Sequence, residues 1–100
     1  MNKMNKIKEK VNDIIYNKNL IYAETIYDGE DREDGVWLYE FCLYDEENKI
    51  DKIEDELNKI KYVGAITSPN IDDGDYTIEV VIDLNNKNIS RNDMMETVYL

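Results

Sequence analysis

The sequence predicts an α+β domain. Its elements follow an α-β-β-α-β-β order, folded as a four-stranded, mainly antiparallel sheet with two helices on one face, plus a short C-terminal helix. Three observations lead there. Apolar residues recur at spacings of three and four in two separate stretches. Four runs rich in β-branched and aromatic residues follow them in pairs. Within each pair, a turn rich in Asp and Gly separates the runs. One hundred residues make a single domain, 1–100, and such a chain buries about 60–65% of its unfolded surface.

The first helix is expected over about residues 3–18. Met4, Ile7, Val11 and Ile14 form its apolar stripe, Ile15 widens it, and Lys3, Lys6, Lys8 and Lys10 take the wet side. LIYAETIY then reads as a strand, DGEDREDG as a polar turn, and VWLYEFCLY as a second strand. Ile50, Ile53, Leu57 and Ile60 mark a second helix over roughly 46–61. Asp45 is its candidate N-cap, with Glu46 and Glu47 at the positive end of the helix dipole and Lys59 and Lys61 at the negative end. YVGAITS is a short third strand and PNIDDGD a turn. YTIEVVIDL alternates cleanly, with Tyr76, Ile78, Val80, Ile82 and Leu84 on one face. Ser90 and Asp93 resemble a capping box at the start of a terminal helix. The expected core is Ile7, Val11, Ile14, Trp37, Phe41, Ile53, Leu57, Ile60, Ile78, Val80 and Ile82.

Two features of this pattern go beyond the element count. A shift of 46 positions places Met4, Ile7, Val11, Ile14 and Tyr16 on Ile50, Ile53, Leu57, Ile60 and Tyr62. Either an α-β-β unit is used twice, or two amphipathic helices simply share a spacing. The order is also a circular permutation of the ferredoxin-like one. Second, VWLYEFCLY is apolar on both faces, broken only by Glu40. A strand with one wet face should alternate, so its second face needs cover. The terminal helix is the expected cover, which makes the protein a monomer before it meets a partner; a second copy or a partner is the alternative.

The charge distribution is lopsided. Residues 24–56 hold fourteen carboxylates against Arg32, Lys49 and Lys52, a net of −11 that equals the total for the chain. Such a field repels nucleic acid and anionic membranes and steers toward basic protein surfaces. The basic start MNKMNKIKEK leads into VNDIIYN and not into a long apolar run, which argues against a signal peptide or a membrane span. Cys42 is alone, which fits a reducing, cytoplasmic compartment.

Catalytic equipment is not visible. Histidine is absent, which removes the commonest general base and metal ligand. Cys42 alternates with aromatics in a strand and reads as a small hydrophobe. The many carboxylates lie in polar runs, not in the apolar clefts that tune acid and base. DGEDREDG and DDGD do not match the spacing of an EF-hand loop. No Gly-rich phosphate cradle is present. The expectation is a protein that is not an enzyme and needs no metal or cofactor.

The acidic residues themselves are the candidate partner-binding site. Asp28, Glu30, Asp31, Glu33 and Asp34 crowd the first turn, and Glu46, Glu47, Asp51, Glu54 and Asp55 line the start of the second helix. Asp51 and Asp55 lie one helical turn apart, about 6 Å. Phosphates along a DNA strand repeat at a comparable distance, so such an array suits a groove built for a nucleic-acid backbone.

In size, acidity, α/β pattern and surface tyrosines, the chain resembles the small single-domain inhibitors encoded by phages and mobile elements. Anti-CRISPR proteins and other DNA mimics are examples. Thirteen Ile, twelve Asn and ten Lys against two Arg match AT-rich codons and a low-GC bacterium or its phage. The resemblance rests on overall character and carries no motif. It implies a stoichiometric blocker of a nucleic-acid-handling enzyme in a bacterial cytoplasm, acting without direct contact to nucleic acid or membrane. Immunity proteins and antitoxins, which neutralise basic nuclease toxins, fit the same surface.

Overall fold

The computed structural model describes residues 2–19, 21–30, 35–44, 48–69 and 75–89. Its elements are α1 (Lys3–Asp13), continued by a π-helical turn (Ile14–Lys18), β1 (Tyr22–Glu30), β2 (Val36–Tyr44), α2 (Ile50–Asn58), β3 (Val63–Pro69) and β4 (Tyr76–Asp83). The four strands form one antiparallel sheet in the order β1-β2-β4-β3. The fold is α+β, with two helices and a four-stranded antiparallel sheet, as the sequence pattern predicts.

Each helix buries the stripe that its spacing marks. Ile7 and Val11 of α1 and Ile53 and Leu57 of α2 pack with Phe41, Leu43, Ile78, Val80 and Ile82 in one core, so both helices cover the same sheet face. Trp37 and Ile60, expected in this core, are only half-buried and pack against it. Trp37 stays near the surface because its indole has polar and cationic partners. Its Nε1 donates to Asp28 Oδ1 at 2.7 Å, and Lys8 Nζ sits 3.1 Å above its ring.

The end of the first helix differs from a plain α-helix. Asn2 caps its start, accepting from the Asn5 N–H at 2.8 Å. At its far end the π-helical turn brings the adjacent Ile14 and Ile15 both into the core. Buried Asn19 closes that turn by donating to the Ile14 carbonyl at 3.1 Å, and its own carbonyl accepts from Lys49 Nζ at 2.8 Å. The two helices are thereby tied together at one end of the sheet.

The second helix is shorter than its spacing suggests. It starts at Ile50, with Lys49 at the cap position and no side-chain cap. Asn48 has φ of 58°, a left-handed conformation that breaks a helix, so α2 cannot run back through it toward residue 46. Asp45, Glu46 and Glu47 lie outside the described residues.

The second sheet face carries a smaller cluster of Val36, Ile66 and Val81, with Leu38 and Ile89 packed against it. The doubly apolar character of β2 is therefore real: Val36 and Cys42 are buried on this face, and Tyr39, Phe41 and Leu43 on the other. Residues 90–100, where a terminal helix is expected, lie outside the described residues.

The two α-β-β units are related by position. β2 and β4 pair at the centre of the sheet, β1 and β3 lie at its two edges, and Glu40 faces Glu79 across the central ladder. Ile7 and Ile53, and Val11 and Leu57, occupy matching buried places.

Candidate interaction surface

The two edge strands differ in how their outer sides are treated. β3 is sealed by α2: Asn58 Nδ2 donates to the Ala65 carbonyl at 3.1 Å, and Asn58 Oδ1 accepts from the Ala65 N–H at 2.9 Å. Thr67 adds a hydroxyl bond to Glu54. β1 has no such seal. Among the described residues, no side chain bonds to its outer backbone, and seven of its nine residues are exposed.

The residues of β1 give this edge its character. Tyr22 is 64% exposed, Ile26 55% and Tyr27 46%, with Tyr44 of the neighbouring strand beside them. Glu24, Asp28 and Glu30 supply three exposed carboxylates along the same strand. The Tyr22 and Tyr44 rings lie 5.1 Å apart, and the Tyr22 hydroxyl donates to Glu24 Oε1 at 2.8 Å. That bond, with the negative charge of Glu24, pushes the Tyr22 phenol above its ordinary range. A hydrogen bond with Cys42 pushes the Tyr44 phenol up to about 12.

A β-bulge shapes the strand. Register shifts between Thr25 and Tyr27, leaving Ile26 without a cross-strand partner. Before the bulge, Thr25 lies opposite Phe41 on the helix side, where the Tyr16 hydroxyl bonds to it. After it, Tyr27 lies opposite Glu40 on the second face. The Tyr27 ring then lies over Gly29, where a Cβ would meet the Tyr27 hydroxyl at 2.9 Å. At the hairpin, Gly35 has φ of 83°, which only glycine adopts without strain.

The predicted acidic residues do not form one continuous array. Asp28 and Glu30 lie near the hairpin, opposite Tyr39 and Trp37. Asp51 and Asp55 are exposed on α2, which starts beyond the other end of β2. α2 lies along β3, the edge strand opposite β1, so the sheet separates the two groups laterally. Glu54 is partly buried and accepts from Thr67, so its carboxylate is already engaged within the fold. Asp31, Glu33, Asp34, Glu46 and Glu47 lie outside the described residues. The sequence reading missed Glu24, Tyr22, Ile26 and Tyr27 as a group. The available signal was the failure of ETIYDGE to alternate, which marks a strand not packed on one side.

Burial, followed by a hydrogen bond to Asp75, pushes the Cys42 thiol above its ordinary range; Sγ lies 3.1 Å from Asp75 Oδ2. A thiol held protonated is a poor nucleophile. Glu79 is also raised, first by burial and then by the charge of Glu40 opposite. No group of three or more His, Cys, Asp or Glu that could hold a metal ion occurs among the described residues. No helix among them is long and apolar enough to cross a membrane. No protein-family model, curated protein or solved structure matches the chain.

Proposed function

We propose that this protein is a non-enzymatic, stoichiometric inhibitor that binds the basic nucleic-acid-binding surface of a bacterial effector, with a CRISPR–Cas complex as the foremost target. The observation that carries this reading is the open β1 edge, where Tyr22, Glu24 and Tyr27 share the second sheet face, Asp28 and Glu30 lie on the helix face, and Ile26 is exposed at the bulge. Its carboxylates meet lysines and arginines that otherwise hold phosphates. Its tyrosines and Ile26 supply the large, rigid contacts that dominate protein interfaces. Asp51 and Asp55 on α2 add a second, separate acidic contact. The setting is the cytoplasm of a bacterial host, and the protein reaches its target as a monomer.

The direct test is competition. The protein is added to a purified Cas effector bound to labelled target DNA, and DNA release is measured. Release is expected with a one-to-one endpoint, and it weakens as salt is raised. Glu24→Lys, Asp28→Lys and Glu30→Lys together are expected to abolish it, and Asp51→Lys with Asp55→Lys to weaken it. Tyr22→Ser with Tyr27→Ser should lower affinity at least tenfold while shifting stability by no more than about 0.5 kcal/mol. Release that survives both charge reversals would sink the electrostatic reading.

The tyrosine cluster also favours a second reading, an immunity protein or antitoxin. There the aromatic anchors bind one cognate basic nuclease within an acidic rim. Protection of nucleic acid from that nuclease, without effect on any Cas complex, identifies this alternative.

A further inference from the structure

Five of the ten lysines line a single cleft, although the protein carries a net charge of −11. Lys3, Lys6 and Lys10 project from α1, and Lys59 and Lys61 from the turn after α2, with Tyr62 between them. The cleft has a volume of about 490 Å³. No carboxylate lines it among the described residues, and none of the five lysines makes an ion pair there.

Three features separate this cleft from an ordinary solvated face. First, Lys3 and Lys6 sit at the N-terminal end of α1, whose first turn holds no acidic residue. The helix dipole disfavours cations there, so their position lowers stability in the free protein. Lys59 and Lys61 at the end of α2 are favourably placed, but they add to the same field. Second, Tyr62 has φ of 71°, a left-handed conformation that a bulky side chain rarely adopts. That conformation holds its ring in the cleft. Third, positive charge converges on this ring. Lys3 Nζ lies 3.8 Å from its centroid, and the Tyr62 backbone N–H donates to the Lys87 carbonyl at 3.1 Å. The phenol is lowered from its ordinary range, first by a hydrogen bond with Lys3 and further by the charges of Lys3, Lys87 and Lys61.

We propose that this cleft is a binding site for a small ligand bearing two or more phosphate groups, of the size of a nucleoside polyphosphate. The volume falls within the range of about 300–1,000 Å³ that small ligands occupy. Ammonium groups on flexible stems neutralise phosphates as point charges, without the fixed fork of arginine. Ile7, Ile60 and the ring of Tyr62 provide an apolar floor and an aromatic surface for the non-phosphate part. Binding would relieve the repulsion among the five cations and the unfavourable position of Lys3 and Lys6. The site is distinct from the β1 edge and does not depend on the basic-partner reading.

Calorimetric titration of the intact protein with ATP, pyrophosphate and tripolyphosphate at physiological salt tests the proposal. Saturable one-to-one binding is expected for ATP, at least tenfold weaker in Lys3→Ala with Lys61→Ala. Tyr62→Gly suits the left-handed backbone, so this variant should fold, keep binding to tripolyphosphate and lose affinity for ATP several-fold. Lys52→Ala, an exposed lysine away from the cleft, should leave binding unchanged. Equal affinity for ATP and tripolyphosphate would show that the phosphates alone are recognised and supports the site. Absence of saturation by all three at millimolar concentration would overturn it. So would binding of single-stranded oligonucleotide but of none of the three, which would make the cleft a nucleic-acid contact. Undiminished binding in the double lysine variant would overturn it as well.

Discussion

The two outer strands occupy equivalent places in the two α-β-β units, and they have opposite fates. β3 begins Val63-Gly64-Ala65-Ile66, all buried, and its outer backbone is closed by Asn58. β1 is Tyr22 to Glu30, mostly exposed, with a bulge and no seal among the described residues. An edge strand with free backbone groups is a liability unless it is blunted. β3 is blunted by a helix. β1 is blunted by three exposed carboxylates and a bulge, which disfavour pairing with another acidic edge.

The largest expected effect is on the shared core. Leu57→Ala should cost about 2–5 kcal/mol, because the side chain is fully buried beneath α2. Val11→Ala, at the matching place on α1, should cost less, since fewer buried carbons are removed. Denaturant unfolding of both variants measures this. A larger loss at Val11 would break the equivalence of the two units.

An intermediate effect is expected at the sealed edge. Asn58→Ala removes both bonds to Ala65 and leaves its buried N–H and carbonyl without them, at a cost of about 1–3 kcal/mol. Hydrogen exchange should then speed up at Ala65 more than at Tyr27. Unchanged protection at Ala65 would mean that the helix does not seal this edge and that the two edges are alike.

The smallest effect concerns the central ladder between the units. Glu79 has a raised carboxyl pKa, so at pH between its unfolded and folded values the folded protein holds a proton that the unfolded chain has released. The resulting stability is present below the ordinary carboxylate range and is lost as pH rises through the folded pKa. Glu79→Gln removes the like-charge pair with Glu40 and should raise stability at pH 7 by up to about 1 kcal/mol. The gain should shrink as pH falls to 4. Thermal melts at both pH values check it; an equal gain at both would show that packing, not charge, is responsible.

The sequence by itself determined the class and most of the core. The three-four spacing places Ile7, Val11, Ile53 and Leu57 on inward faces, and the alternation of β4 places Ile78, Val80 and Ile82 there too. Periodicity is a local property, so it survives without knowledge of the fold. What only the tertiary structure decided were the helix limits, the bulge and the surfaces. The left-handed Asn48 and the Asn19–Lys49 contact set where α2 begins. The acidic window looks like one site along the chain, but the strand order sets its two described parts by opposite edges of the sheet, on β1 and on the helix along β3. The lysines before and after that window look like ordinary solvated positions, yet antiparallel packing of α1 and α2 gathers five of them around Tyr62. A surface is made of residues distant in sequence, and its charge and shape exist only once the chain has brought them together.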